Sequence, residues 1–172
     1  MSELWDLYDM HRELTGETWK RGTKTPIPKG RYHIIVSVWT VTPSGKILIT
    51  QRHPHKSFGE LWENTGGAVI AGETSLDAAY RELSEEIGLD VDKDRLVMLG
   101  DVWHSGYVVD TYLYVSEIDI DKLVLQDDEV IDAKLVSEAD IDSLHEQNMM
   151  VPSVYRTFCC YRQEINALIK NN

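Results

Sequence analysis

Glu82, Glu85 and Glu86 stand at spacing i, i+3 and i+4, with Arg81 directly before them. On a helix these three carboxylates gather on one face. Like charges at that spacing destabilise a helix by roughly 0.2–0.5 kcal/mol per pair, so a cation is expected among them. Hard oxygen donors of this kind suit Mg²⁺ or Mn²⁺, and such ions commonly serve phosphate chemistry. Upstream, Gly67-Ala68-Val69-Ile70-Ala71-Gly72-Glu73 is a loop with a glycine near each end, followed by a fourth acid. Its glycines let the backbone approach an ion or a phosphate closely. Diphosphate cleavage needs neutralised charge on bridging oxygens and a positioned, deprotonated water, and divalent ions supply both. A charge run alone would read as a solvated helix face.

The carboxylates need a helix to align them. Leu76, Ala79, Leu83 and Ile87 recur at helical spacing behind Thr74-Ser75, and Gly88 reads as the C-cap. A helix over Ser75 to Ile87 turns those apolar residues inward and presents the carboxylates to a cleft. Before it, Tyr32 to Thr42 is rich in β-branched and aromatic residues and predicts a strand. Pro43-Ser44-Gly45 turns that strand into a partner over Lys46 to Arg52, and His53 to Glu60 reads as a polar loop. Leu4 to Asp9 and Glu17 to Arg21 predict two short strands with a turn at Thr15-Gly16, followed by a Pro- and Gly-containing loop over residues 22–30. Downstream, Arg95 to Val102 and Tyr107 to Ile118 predict an antiparallel pair joined at His104-Ser105-Gly106, and Val130 to Val136 a further strand. Ser137-Glu138-Ala139-Asp140 opens a short helix and Pro152-Ser153 the last one. The stripe Val154, Phe158, Tyr161, Ile165 and Leu168 suits core packing, with a dimer seam as the alternative. Strands mixed with few helices imply an α+β fold, a mixed sheet with helices on its faces. Residues 1–30 read as an N-terminal extension or hairpin packed on a domain over residues 31–172.

The chain has 172 residues, 42% hydrophobic and 27% charged, which suits one domain with a sizeable core. Seventeen basic residues against 29 acidic give a net charge of −12. That balance argues against a nucleic-acid polymer and against anionic lipid as partners, although a bound metal would still bring a phosphate substrate in. No apolar run is long enough for a bilayer, and Met1-Ser2-Glu3-Leu4-Trp5-Asp6 lacks the pattern of a secretory signal. Cys159 and Cys160 are adjacent and cannot staple the fold, so helix packing is their expected role. These features together point to a cytoplasmic protein.

Gly67, Glu73, Arg81-Glu82-Leu83, Glu85-Glu86 and Gly88-Leu89 resemble the Nudix box at every fixed position. The resemblance implies a mixed β sandwich flanked by α-helices, and a hydrolase that cleaves a nucleoside diphosphate linked to another moiety, using Mg²⁺ or Mn²⁺. It implies Glu82 and Glu86 as side-chain metal ligands, with Glu85 either a further ligand or the partner of Arg81. Arg81 would orient a catalytic glutamate, and the backbone carbonyl of Gly66 would add a ligand. Glu73 would brace the loop–helix junction. Glu129 is a candidate base or extra ligand, against a solvated loop acid, with Asp110 a weaker candidate. Arg52 is a candidate for substrate phosphate, against a structural salt bridge. Trp39 and Trp62 suit core packing before base stacking, and His53, His55 and His104 read as exposed loop residues.

Shorter motifs are similar to the isopentenyl diphosphate isomerase branch of the family: Leu4 to Asp9, Thr15-Gly16, Arg21-Gly22, Tyr32-His33, Gln51-Arg52, Trp62-Glu63-Asn64 and Asp127 to Val130. That isomerase carries Cys-Gly-His where this chain has Gly66-Gly67-Ala68. The thiol and that histidine are missing, and both paired glutamates are present. Hydrolysis of a small-molecule diphosphate is therefore the first expectation. An isomerase and a noncatalytic nucleotide-binding protein are the alternatives, and a homodimer is left open.

Overall fold

The computed structural model describes residues 3–170. Met1, Ser2, Asn171 and Asn172, at the outer ends of the two expected units, lie outside them. The chain begins with a hairpin, β1 (Leu4–Tyr8) and β2 (Leu14–Lys20). A seven-stranded sheet follows: β3 (His33–Val41), β4 (Ile47–Arg52), β5 (Trp62–Glu63), β6 (Thr65–Ala68), β7 (Val97–Trp103), β8 (Tyr107–Val115) and β9 (Val130–Val136). Its main path runs β5-β4-β3-β8-β7, with β6 also paired to β3 and β9 to β4. Strands β3 and β8 are parallel along their whole length, His33 opposite Tyr107 and Val41 opposite Val115, while the other pairs are antiparallel. The sheet is thus mixed, and three helices complete an α+β fold: α1 (Ser75–Ile87), α2 (Glu138–Glu146) and α3 (Pro152–Lys170).

Side-chain alternation divides the core into two layers. On one face Ile34, Val36, Val38, Leu48, Val108 and Tyr112 pack against Ala78, Ala79, Leu83 and Ile87 of α1. On the other, Trp39, Val41, Ile47, Ile49 and Leu113 pack against Ile141 of α2 and Phe158 and Ile165 of α3. Burial on both faces explains why β3 reads as one nearly continuous apolar run. The stripe on α3 is core packing: Phe158 and Ile165 are fully enclosed, with Val154, Tyr161 and Leu168 partly buried beside them.

Several expectations need correction. The hairpin turns at residues 9–13, not at Thr15-Gly16. The Asp9 carboxylate accepts hydrogen bonds from the backbone N–H of His11 (2.8 Å) and Glu13 (3.0 Å), and this Asx-type closure sets the turn. Thr15 and Gly16 fall inside β2, where the register to β1 slips between Asp6 and Tyr8. The pattern also gives no sign of β5, only two residues long, or of β6, four residues of which two are glycine, so alternation does not register. Arg95 belongs to a 3₁₀ turn over Lys93–Arg95 capped by Asp92, so β7 starts two residues later. Strand β8 ends at Val115, short of Ile118. Cys159 and Cys160 are exposed, because the inward face of α3 is taken by Phe158 and Ile165.

Phe158 is fully buried, its ring 5.0 Å from that of Trp39 and under the Arg162 guanidinium at 4.7 Å. Phe158→Ala is expected to cost about 3–5 kcal/mol, read as a lowered urea midpoint at unchanged m-value.

Candidate active site

Helix α1 is fixed at both ends. Thr74 and Asp77 form a reciprocal capping box at its start, and Gly88 ends it in the left-handed conformation at φ 62°. Strand β6 lies antiparallel to β3, Ser37 opposite Gly66 and Val36 opposite Gly67, and delivers the loop that precedes the helix. The approach is close. A Cβ on Gly66 would lie 2.3 Å from the Val36 carbonyl oxygen, and a Cβ on Gly67 would lie 2.1 Å from Oε1 of Glu82. The missing side chain at Gly67 lets the Glu82 carboxylate rest against the loop backbone.

Arg81 joins loop and helix. Its Nε donates to Glu73 Oε1 (2.9 Å) and its Nη2 to Glu73 Oε2 (3.1 Å) and the Ala68 carbonyl (3.1 Å). Its Nη1 donates to Glu82 Oε1 (2.7 Å) and Glu85 Oε2 (3.1 Å). Burial works against the charge on Arg81, but these carboxylates outweigh it and hold the guanidinium firmly protonated. Glu73 also accepts the Ile70 N–H at 3.2 Å, at the loop–helix junction.

These groups line a cleft of 540 Å³. It brings together Gly66, Gly67, Arg81, Glu82, Glu85 and Glu86 with the more distant Arg52 and Glu129. Glu86 is buried and its carboxylate accepts no hydrogen bond among the described residues. The Lys56 ammonium stands 3.9 Å from it and also pairs with Glu129. Burial, together with the nearby charges of Glu82 and Glu63, pushes the Glu86 carboxyl up to about 8. Burial likewise raises Glu82, against the opposing pull of Arg81. Arg52 donates to both oxygens of buried Glu63, at 2.6 and 2.5 Å, so it lines the cleft while engaged in an ion pair. The salt-bridge alternative for Arg52 is thus the one present in the structure.

Two observations fit a divalent ion. Gly67 leaves the Glu82 carboxylate the space it needs, and Glu86 is a buried acid without a hydrogen-bond donor. Among the described residues, His, Cys, Asp and Glu side chains form no ready-made metal cluster of three or more. The carboxylates are instead turned toward Arg81 and Lys56. The residues that fit as holders are Glu82 and Glu86, with Glu85 and Glu129 beside them and the Gly66 backbone on the same wall.

The sequence reading missed Lys56, Glu63 and Gln126, and also the contribution of the hairpin. Glu3, Trp5 and Arg21 line the cleft from the hairpin, and the Trp5 ring stacks on buried His33 at 4.2 Å and 9°. Lys56 lies in a polar loop with no periodic pattern to mark it. Asp110 is not brought to the cleft: it is fully buried, bonded to Arg12 at 2.8 and 2.7 Å. Trp39 and Trp62 are core residues, and Lys134 stands over the Trp62 ring at 3.8 Å. His104 stacks on Tyr107 at 4.6 Å.

A NUDIX domain profile matches residues 31–157. An uncharacterized Nudix hydrolase of Listeria monocytogenes is 31% identical over 153 residues, covering 87% of this chain and 89% of the relative. One from Listeria innocua is 30% identical over 154 residues, with the same two coverages of 87% and 89%. In fold, the chain is similar to the crystal structure of DR0079 from Deinococcus radiodurans, with TM-score 0.70, 19% identity, and coverage of 87% of this chain and 92% of that one. It is also similar to a bifunctional NMN adenylyltransferase/ADP ribose pyrophosphatase of Francisella tularensis, complexed with AMP and a Mn ion. There the TM-score is 0.61 at 19% identity, over 78% of this chain and 42% of that one.

Two pH effects follow. A divalent ion held by Glu86 would need its carboxylate form, whereas burial pushes the metal-free carboxyl up to about 8. Mn²⁺ affinity is therefore expected to rise about tenfold per pH unit below pH 8 and to level off above it. Calorimetry in buffers of different ionisation enthalpy should show the released proton. Affinity independent of pH would remove Glu86 from the ligand set. His33 is held neutral by burial, its value lowered from 6.5 to about 4 despite Glu3 nearby. Between those values the unfolded chain binds the extra proton, so stability falls as pH drops through 6.5 towards 4. Urea melts at pH 7 and pH 5 should show an acid loss smaller by roughly 1–2 kcal/mol in His33→Gln than in the wild type.

Proposed function

The chain belongs to the Nudix hydrolase family, and we propose that it cleaves the diphosphate linkage of a small molecule, nucleoside-linked or similar, with Mg²⁺ or Mn²⁺. The observation that carries this reading is the single cleft lined by Glu82, Glu85, Glu86, Arg81, Gly66 and Glu129. In this reading Glu82 and Glu86 hold the metal, with Glu85 and the Gly66 carbonyl as further donors. A divalent ion held there supplies charge neutralisation for the phosphoryl oxygens and makes a nearby water more acidic. Arg81 fixes Glu82 and Glu85 in register with the loop, and Glu73 braces Arg81. Gly67 gives Glu82 its room and Gly88 ends the helix that carries all three acids. Glu129 takes the proton from the attacking water, and Lys56 is the cation it exchanges for that task. Arg52, anchored by Glu63, faces the substrate phosphate.

Residues 3–30 act as an extension that completes the cleft wall of the hydrolase domain, which begins at Arg31. The substrate is a small molecule, with neither a nucleic-acid polymer nor a membrane as partner. No helix among the described residues is long and apolar enough to cross a membrane. The proposed location is the cytoplasm. The exposed Val97 and Met98 on edge strand β7 are compatible with a homodimer. The isomerase alternative is disfavoured by Gly66, where a thiol-bearing side chain would have to start 2.3 Å from the Val36 carbonyl oxygen.

Purified protein incubated with Mg²⁺ or Mn²⁺ and a panel of nucleotide sugars, dinucleotides, nucleoside triphosphates and prenyl diphosphates is expected to cleave members of one class at the diphosphate, read as phosphate after phosphatase treatment. Glu86→Gln should lower kcat by about three orders of magnitude, consistent with losing several kcal/mol of charge stabilisation. Absence of turnover across the panel with both metals would refute the hydrolase reading for those classes, and near-normal activity of the variant would refute the role of Glu86.

A further inference from the structure

The hairpin that brings Glu3, Trp5 and Arg21 to the cleft has little apolar anchorage. Strand β2 is exposed along most of its length, and Leu7 alone of β1 is fully buried. The ion pair of Glu17 with Arg31 lies at the surface, where such pairs add little. Backbone bonds fasten β1 at Tyr8, which exchanges N–H and carbonyl with Tyr32 (2.8 and 2.9 Å), and at Leu4, which accepts the Ala71 N–H.

One attachment is of a different kind. The 9–13 turn sets Arg12 against the sheet, where its guanidinium donates to both oxygens of Asp110 (2.8 and 2.7 Å) and to Asp101 Oδ2 (3.1 Å). Asp110 is fully buried on β8, between Val36 of β3 and Asp101 of β7. Among the described residues no other cation pairs with it. Lifting the hairpin would leave Asp110 a buried, uncompensated charge with a second carboxylate across the strand. Breaking a buried pair in this way is far costlier than breaking a surface one. The backbone of Arg12 supports the same conclusion. Its φ of 63° lies in the left-handed region that favours glycine or asparagine. Asp9 closes the turn, accepting the Arg12 N–H at its carbonyl (3.1 Å) and those of His11 and Glu13 at its carboxylate. The turn itself therefore has no need of arginine, and the fork on Asp110 and Asp101 explains the unfavourable choice.

We propose that Arg12 and Asp110 are positioning residues whose ion pair latches the hairpin to the sheet. The latch holds two features in place: the Glu3, Trp5 and Arg21 wall of the cleft, and the Ala71–Gly72 stretch of the loop that Arg81 braces. Neither residue lines the cleft, so their effect reaches a substrate through the hairpin. That effect on substrate rests on the diphosphate-hydrolase reading, whereas the latch itself does not.

Arg12→Gly keeps the left-handed turn and removes the fork, and Arg12→Gly/Asp110→Val also removes the unpaired charge from the sheet. Residue-resolved amide hydrogen exchange is expected to show the N–H groups of Tyr8, Ala71 and Gly72 exchanging about tenfold or more faster in both variants, with β3 at the sheet centre unchanged in the double variant. Arg12→Lys should fall between, because a point charge does not reproduce the fork. For any diphosphate that is cleaved, the double variant should raise KM several-fold at nearly unchanged kcat, since only the latched fraction binds. Wild-type exchange at Ala71 and Gly72, faster exchange confined to residues 9–13, or β3 loosened as much as the hairpin in the double variant overturns the latch. An unchanged KM beside a loosened hairpin overturns the positioning role. If no diphosphate is cleaved, the hydrolase reading fails and the exchange rates alone decide the latch.

Discussion

The Arg81 guanidinium is the constraint on which the site's geometry depends. It bonds Glu73 at the end of the loop, Ala68 near its start, and Glu82 and Glu85 on the helix. One rigid, planar fork therefore fixes four points, in the end of β6, the loop after it and helix α1. A lysine ammonium is a point charge and would not hold the same angles. The bracing extends to the hairpin, because the same loop donates from Ala71 N–H to the Leu4 carbonyl (2.8 Å) and from Gly72 N–H to Asp6 Oδ2 (2.7 Å). Sheet, helix and hairpin thus meet at one loop whose shape is set chiefly by charge-assisted hydrogen bonds.

Charge balance shows why the cleft calls for a further cation. Seven carboxylates line or border it: Glu3, Glu63, Glu73, Glu82, Glu85, Glu86 and Glu129. Four cations face them: Arg21, Arg52, Lys56 and Arg81. Arg21, Arg52 and Arg81 each have a carboxylate of their own in Glu3, Glu63 and Glu73. Lys56 alone is left to serve Glu86 and Glu129 together. Burial, with the nearby charges of Glu82 and Glu63 added to it, pushes the Glu86 carboxyl up to about 8. A divalent ion would relieve the excess and free Lys56 for an incoming anion.

How legible this was depends on the range over which each feature is encoded. Helix α1 and its charged residues are local: Thr74 and Gly88 bound it, Leu83 and Ile87 face inward, and Arg81 sits beside the acids it organises. The strands β3, β4, β8 and β9 carry enough β-branched and aromatic residues to declare themselves, and so did their helical covers. Lys56 is different. Its proximity to Glu86 arises only when the loop after β4 folds back over the sheet, thirty residues away in sequence. Asp110 shows the opposite error: an acid on a central strand suggests chemistry, yet it is consumed by Arg12, whose place depends on the 9–13 turn. The hydrogen bond from Asn64 to Ser37 needs the β3–β6 juxtaposition, and β6 gives no readable pattern of its own.

The walls of the cleft come from two parts of the chain. Arg81, Glu82, Glu85 and Glu86 lie inside the family-matched segment, residues 31–157. Glu3, Trp5 and Arg21 lie before it, and Trp5 closes the wall by stacking on His33, which in turn packs toward Tyr107 at 6.0 Å. Tyr107 stacks on His104, and both rings line a second cavity of 240 Å³, so a row of rings runs to it from the hairpin. A change in the hairpin therefore reaches both the cleft wall at Trp5 and the loop that Arg81 braces, which Leu4 and Asp6 hold. Of that row only Trp5 comes from the hairpin, while His33, His104 and Tyr107 lie within residues 31–157, so the second cavity is walled by the same segment that carries Arg81 and the acids.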